Sequence, residues 1–293
     1  VISRHSVMQY KGKPKPLPEV ARELGVEAVV EGSVLRVGDR VRISVQLLRA
    51  SPEQHLWAES YERDVRDVLA LHSELARAIA QQIGLTVAAR TTAPLATARP
   101  LHPQAYEVYL KARYHLYKWD EEGTNKAIEY SRQAIDINPN FAPAYALLSE
   151  AYNQAAFHAY RDPEQTYPRA KAAAAKALEL DEALAEAHSA AGVVKFYEWD
   201  WSGAEKEYRR ALELDPNSVD ALGNYAYYST TMGRFQEGLT ALRRVIERDP
   251  LTPTNYLQLA ATHLYAHRYD ESIEEYRRTI ARSPDLQHMH FMI

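Results

Sequence analysis

The sequence predicts a mainly α protein: an α-solenoid wound as a right-handed superhelix, preceded by a small α+β domain with an antiparallel sheet. Three observations predict it. A short phrase ending in proline recurs through the C-terminal two thirds at a step of 34 residues. Glycine is scarce, at 11 of 293 residues, which favours helices because glycine costs roughly 1 kcal/mol against alanine in a helix interior. The first ninety residues follow a different grammar, with apolar side chains at every second position. The length suffices for two units, each burying a core of its own.

From the N-terminus, Leu17 to Leu24 shows helical spacing. Val26 to Leu35 and Arg40 to Leu48 are β-rich runs joined by Val37-Gly38-Asp39, a hairpin-turn signal. The second run sets Val41, Ile43, Val45 and Leu47 against Arg42, Ser44 and Gln46, as a half-buried strand requires. His55 to Tyr61 extends the hairpin to a meander, and Val68 to Val87 carries an apolar face of Leu71, Leu75, Ala78, Ile79 and Ile83. Residues 1–90 therefore read as one α+β domain, and 91–103, rich in Thr, Ala and Pro, as a linker.

Residues 104–293 are the repeat array. The recurring phrases are Ala134 to Pro139, Ala177 to Glu182, Ala211 to Pro216, Val245 to Pro250 and Ile280 to Pro284. Thirty-four residues is the period of the tetratricopeptide repeat, a pair of helices with small residues where they cross. Gly192 and Ala204 hold the small positions of one repeat, followed by Tyr208 and Ala211 in the core. Ala226, Gly238, Leu242 and Val245 hold the same places in the next, and Ala260, Ser272, Tyr276 and Ile280 in the last complete one. Pro216, Pro250 and Pro284 then block helix continuation. Five units follow, over 105–139, 142–182, 185–216, 219–250 and 253–284, with the start of a sixth from Gln287. Two are irregular: the first has Ala112 and Ala127 three residues too far apart, an excess expected in the loop Trp119 to Gly123. The second carries nine extra residues, expected as a loop over Phe157 to Thr166.

Several phrases carry a family resemblance. Val26-Glu-Ala-Val-Val-Glu-Gly-Ser-Val34, Gly38-Asp-Arg-Val-Arg-Ile43, His55-Leu-Trp-Ala-Glu59 and Tyr61-Glu-Arg-Asp64 resemble the TolB-N-terminal-like domain that precedes tetratricopeptide repeats in many bacterial signalling proteins. Trp199-Asp-Trp201-Ser-Gly-Ala-Glu205 is similar to the matching repeats. The resemblance implies a C-terminal sensory or regulatory half, attached in that family to a winged-helix DNA-binding domain, a serine/threonine kinase or a nucleotide cyclase. Val1 in place of methionine reads as a fragment of a longer polypeptide, with the family's first strand and helix upstream.

Composition excludes several function classes. No cysteine is present, which removes thiolate metal sites and a cysteine nucleophile. Residues 1–90 carry 13 Lys+Arg against 11 Asp+Glu, and 91–293 carry 22 against 28, so neither part has the dense basic face of a nucleic-acid binder. Lys11, Lys13 and Lys15 read as a solvated loop. No apolar run reaches the 18 residues of a membrane span, so the fragment is not expected to insert. Gly32-Ser33 lacks the glycines of a nucleophile elbow, and His288 with His290 lacks a third ligand. The chain thus reads as a non-catalytic protein with no cofactor and no metal. Cytoplasm is favoured for it, the periplasm if a transmembrane segment lies upstream.

In this fold the inner helices line a concave groove, and helical position places in it Tyr106, Tyr109, Arg113 and Tyr117 from the first unit and Glu150 and Asn153 from the second. Glu186, Phe196 and Tyr197 come from the third, Asp220 and Tyr227 from the fourth, and Leu257, Leu264 and Tyr265 from the fifth. Tyrosine offers stiff contact area with one polar tip, which suits a bound peptide, although several could instead pack between repeats. Lysine and asparagine are missing from the positions that clamp a C-terminal carboxylate in chaperone-binding members, which argues against that partner. Trp199 and Trp201 are expected to plug the seam between repeats, with a ligand-stacking role as the alternative. The expected function is a regulatory or scaffold module that binds a protein or peptide in this groove, with self-association through the uncapped last repeat. The alternative is a small-molecule sensor acting through the N-terminal domain and its junction with the repeats.

Overall fold

A computed structural model describes residues 2–12, 15–64, 68–82 and 102–282 of the chain. The elements of the first part are α1 (Arg4–Met8), α2 (Leu17–Leu24), β1 (Ala28–Val37), β2 (Arg40–Ala50), β3 (Glu53–Asp64) and α3 (Val68–Gln82). Five helical hairpins follow: α4 (Pro103–Leu116) with α5 (Glu121–Ile137), α6 (Ala142–Phe157) with α7 (Pro163–Leu180), α8 (Ala185–Tyr197) with α9 (Trp201–Leu214), α10 (Val219–Thr231) with α11 (Phe235–Arg248), and α12 (Pro253–Tyr265) with α13 (Tyr269–Arg282). The contacts divide the chain into two units, one of residues 10–103 and one of 1–9 together with 104–293.

Unit 10–103 is built on period-two alternation. β1, β2 and β3 form an antiparallel meander in that order, with Val34 opposite Ile43 and Ile43 opposite Tyr61. Val41, Val45 and Leu47 of β2 are buried, and their neighbours Arg42 and Ser44 are exposed. A register shift at Leu47/Leu48 breaks the alternation, so that consecutive leucines are both buried. One extra residue on the opposite strand rotates the pleat locally and supplies a second inward position. α2 starts behind Pro16 and stops at Gly25, whose φ of 64° is the left-handed conformation that ends a helix cheaply only for glycine. α3 buries Leu71, as its periodicity predicts. The linker expected over 91–103 lies, up to residue 101, outside the described residues.

The repeat unit is held by the small-residue positions. A Cβ built on Gly192 would lie 2.5 Å from the Tyr208 ring, so α8 and α9 can cross at this distance only because the side chain is missing. Ala204, Ala226 and Ala260 are fully buried at the equivalent crossings, and Ser272 donates to the Ala260 carbonyl at 2.9 Å. The core of the fourth hairpin is Leu222, Ala226, Leu239, Leu242 and Val245, closed by Leu259 of the fifth. α6, α8, α10 and α12 stack successively, and each also meets the second helix of the preceding hairpin.

Each hairpin turns through one left-handed residue: Trp119, Ala159, Trp199, Gly233 and His267, with φ between 55° and 73°. These residues mark the repeat as clearly as the prolines do, and they relocate the extra residues. Asp120 caps α5 through the Gly123 N–H, as Asp200 caps α9 through Gly203, so the first turn has no insertion. The three residues instead lengthen α5 to 17 residues against 14 in α9, because nearly one full helical turn can be added while the buried face is kept. The nine extra residues of the second unit are likewise spread. α6 and α7 run to 16 and 18 residues, against 13 and 14 in the third hairpin, and only two extra residues fall in the turn.

The expectation that residues 1–9 belong to the sheet domain meets a different arrangement. Ser3 and Ser6 both donate to the Asp249 carboxylate at 2.6 Å, the Leu251 N–H donates to Ser6 Oγ at 3.1 Å, and Gln9 donates to the Leu251 carbonyl. Asp249 caps the end of α11 and is buried, so two hydroxyls satisfy a carboxylate that would otherwise be costly there. The sixth unit from Gln287, and the self-association surface it would offer, lie outside the described residues, as do His288 and His290.

Candidate peptide-binding groove

The inner helices present an uneven mixture of charge and aromatic surface. Tyr109 and Arg113 on α4 and Tyr117 just past its end recur at four-residue spacing on one side. Glu150 and Asn153 come from the second half of α6. Glu186 and Asp220 stand second in α8 and α10, where a carboxylate is favoured by the helix dipole. These seven side chains line one floor, together with Ser189 and Asn224. A wider cavity of about 280 Å³ opens above it, walled by Trp119, Phe157, His158, Tyr197 and Tyr227 and sharing Tyr117, Glu150, Asn153 and Asp220 with the floor.

The floor is electrostatically strained. Burial, aided by the charge of Asp220, pushes the Glu150 carboxyl up to about 8, against the pull of Arg113. Glu186 is raised as well, burial again leading and Asp220 adding to it. Burial also lifts the Tyr109 and Tyr117 phenols above their ordinary range, so both stay neutral donors. Tyr117 donates to Asp220 Oδ2 at 2.8 Å. The Arg113 guanidinium lies 5.9 Å from the Tyr109 ring centroid and 6.0 Å from that of Tyr117, and bonds the Tyr117 hydroxyl. The guanidinium is thus held against the wall while its charge still acts on Glu150 and Glu186.

Hydrogen-bonding capacity is left over. Both amide atoms of Asn153, which is 3% exposed, have no partner among the described residues, and the same holds for Gln154 Nε2 and Thr252 Oγ1. All three residues line the wider cavity. Buried polar atoms are nearly always paired, so those that share a cavity are hydrogen-bonding capacity open to whatever enters it.

Nine of the fourteen residues placed in the groove by helical position line these cavities: Tyr109, Arg113, Tyr117, Glu150, Asn153, Glu186, Tyr197, Asp220 and Tyr227. Phe196 does not. It is buried against Ala204, Tyr208 and Tyr228, because its position turns toward α9 and the next hairpin. Tyr106 only flanks Tyr109, at 6.1 Å between rings, and Leu257, Leu264 and Tyr265 line neither cavity. Trp201 packs on Phe196 at 5.3 Å, but Trp199 is 76% exposed and stands edge-on to Trp201, so it does not plug a seam. Positional reading missed Trp119, Phe157, Asn224 and the unpaired Gln154. Trp119 reaches the wall from the turn after α4, outside the helical positions that were counted, and Phe157 from the end of the lengthened α6, where counting from the helix start loses the frame.

With this geometry in place, the likeness to known proteins can be set beside it. Residues 207–240 match the family described as "Tetratricopeptide repeat", a stretch that runs from the second half of α9 to the start of α11 and agrees with the helical-hairpin fold. The chain is 33% identical over 149 residues to the "Putative adenylate cyclase 3" of Rhizobium meliloti (strain 1021), covering 51% of this chain and 25% of that one. It is 27% identical over 164 residues to "Hsp70-Hsp90 organizing protein 3" of Arabidopsis thaliana, covering 55% of this chain and 28% of that one. It thus spans about a quarter of the length of these relatives. Among solved structures, that of PilW, titled a type IV pilus biogenesis factor, overlaps 62% of this chain and 78% of its own, with a TM-score of 0.47 and 17% identity.

Proposed function

We propose that this chain is a non-catalytic regulatory or scaffold module whose repeat groove binds a protein or peptide segment, and that it is the interaction half of a larger signalling protein whose sheet unit resembles the TolB-N-terminal-like domain. The observation that carries the groove reading is the cavity between α4, α6, α8 and α10, walled by aromatic side chains and floored by unpaired amides. A peptide offers both apolar side chains and a backbone rich in donors and acceptors, which is what such a surface lacks. The chain supplies an internal example, since Ser3, Met8 and Gln9 border a cavity with Arg113, Glu186 and Asp220. The names of two relatives agree in kind, one with assembly of other proteins and the other with signalling.

The test is crosslinking and pull-down with the whole chain and with a Tyr197→Ala, Tyr227→Ala double variant. A partner captured by the first and lost by the second, with an unchanged thermal melt, is the expected result. Capture that is indifferent to both substitutions would move the interface elsewhere.

A further inference from the structure

The groove carries a charge pattern that narrows the ligand. Three carboxylates from three different helices, Glu150, Glu186 and Asp220, face a floor whose single cation is Arg113. Arg113, stacked on Tyr109 and Tyr117, is one positive charge against three carboxyl groups, of which Glu150 keeps its proton up to about pH 8. Beside them Asn153 is buried with both amide atoms unpaired, a second and independent sign of a ligand. An incoming anion would meet three carboxylates. A neutral group would leave their repulsion as it stands.

We propose that the floor of the groove takes a cationic side chain, the guanidinium of arginine or the ammonium of lysine, presented by the bound peptide. This rests on the groove reading above and adds the chemistry of the residue it selects. The flat donor edge of a guanidinium can bond a carboxylate and an amide oxygen together, here Glu150 or Asp220 with Asn153. Its face can lie against the aromatic wall, where Tyr197 and Tyr227 stand above the floor. The raised pKa of Glu150 fits the same picture. Asp220, Glu186 and the Tyr109 and Tyr117 phenols surround it, with only Arg113 opposed, so a second cation would draw off its proton.

The experiment is a positional-scanning hexapeptide library panned on the whole chain, and again on a Glu150→Gln, Asp220→Asn double variant. Both changes keep side-chain shape, and a circular dichroism melt confirms that the variant folds. The wild-type chain is expected to select Arg or Lys at one position over Asp or Glu by about tenfold or more. In the variant that preference should fall to near parity while preferences at other positions persist. Affinity for a selected peptide should rise from pH 6 to pH 9, and the rise should vanish in Glu150→Gln. Retention of peptides with no cationic preference overturns the assignment and leaves the groove reading standing, whereas retention of no peptide removes both. A preference that survives in the variant places the cation elsewhere and also overturns it. Agmatine serves as the free-cation arm: if it displaces a selected peptide as well as that peptide's own arginine form does, the ligand is a small amine and the peptide-borne assignment fails.

Discussion

The third to fifth hairpins and the first two are built to different ends. In the regular hairpins the informative residues are small ones at crossings, Gly192, Ala204 and Ala226, and their charges pair on the outer face, where Glu205 meets Arg209 and Arg234 at 2.8 and 2.7 Å. In the first two, α4 and the longer α6 carry Tyr109, Arg113, Glu150 and Asn153 to a floor that Glu186 and Asp220 of the next two hairpins complete, and there charge is crowded and amides go unpaired. Where the repeat is most regular, sequence is spent on stacking. Where it departs from its period, more of it faces the cavity as charge and amide.

The sharpest way to break this contrast is at a crossing. Ala204→Trp should cost about 3 kcal/mol, because Ala204 is completely buried between α8 and α9 and the interior cannot expand to hold an indole. Urea denaturation measures it, and an unchanged midpoint would mean that the crossing lies elsewhere.

A pair of glutamates tests the two regions against each other. Glu150 has a folded-state pKa raised to about 8, so the folded protein holds a proton that the unfolded chain releases near 4.5, and stability falls as pH climbs between those values. Glu150→Gln should therefore stabilise the protein at pH 8, by about 2 kcal/mol or roughly half of what the full shift would give because Asp220 and Arg113 share the effect, and leave it little changed at pH 4. Glu205 is the opposite case, lowered to about 2 chiefly by its bond with Arg234. Its contribution is present above pH 4.5 and lost as pH falls through 2, so Glu205→Gln should destabilise at pH 7, by about 1 kcal/mol after solvent screening of a partly exposed pair. Melts of both variants across pH should give slopes of opposite sign, and slopes of one sign would dissolve the distinction.

The smallest effect concerns the turns. Ala159 is exposed and held at a φ of 55°, where Gly233 stands in the fourth hairpin at 73°. Ala159→Gly relieves left-handed strain at some entropic cost, and should raise stability by about 0.5 kcal/mol. A loss of stability in the same melt would show that the turn is held by more than its backbone.

Much of this was legible before any coordinates. Helical hairpins must bury small residues where they cross and must stop at proline, so the period of Pro216, Pro250 and Pro284 alone defined the array. The alternation of Val41 to Leu47 likewise defined the central strand, because a pleat admits only one inward face. Groove positions were legible where a residue's turn in the helix settles its direction, as for Glu186, Asp220 and Tyr227, and misleading for Phe196, whose neighbours in the next hairpin turned it into the core.

Local periodicity and chain-breaking residues act over one or two helical turns, and the sequence by itself determined everything that acts at that range: the helices, the hairpins and the strand faces. Tertiary structure alone decided that most extra residues would lengthen α5, α6 and α7 rather than bulge from the turns, that residues 3–9 would find Asp249, and that carboxylates from three helices would share one floor. Those outcomes depend on distances between residues far apart in the chain, which no local pattern encodes.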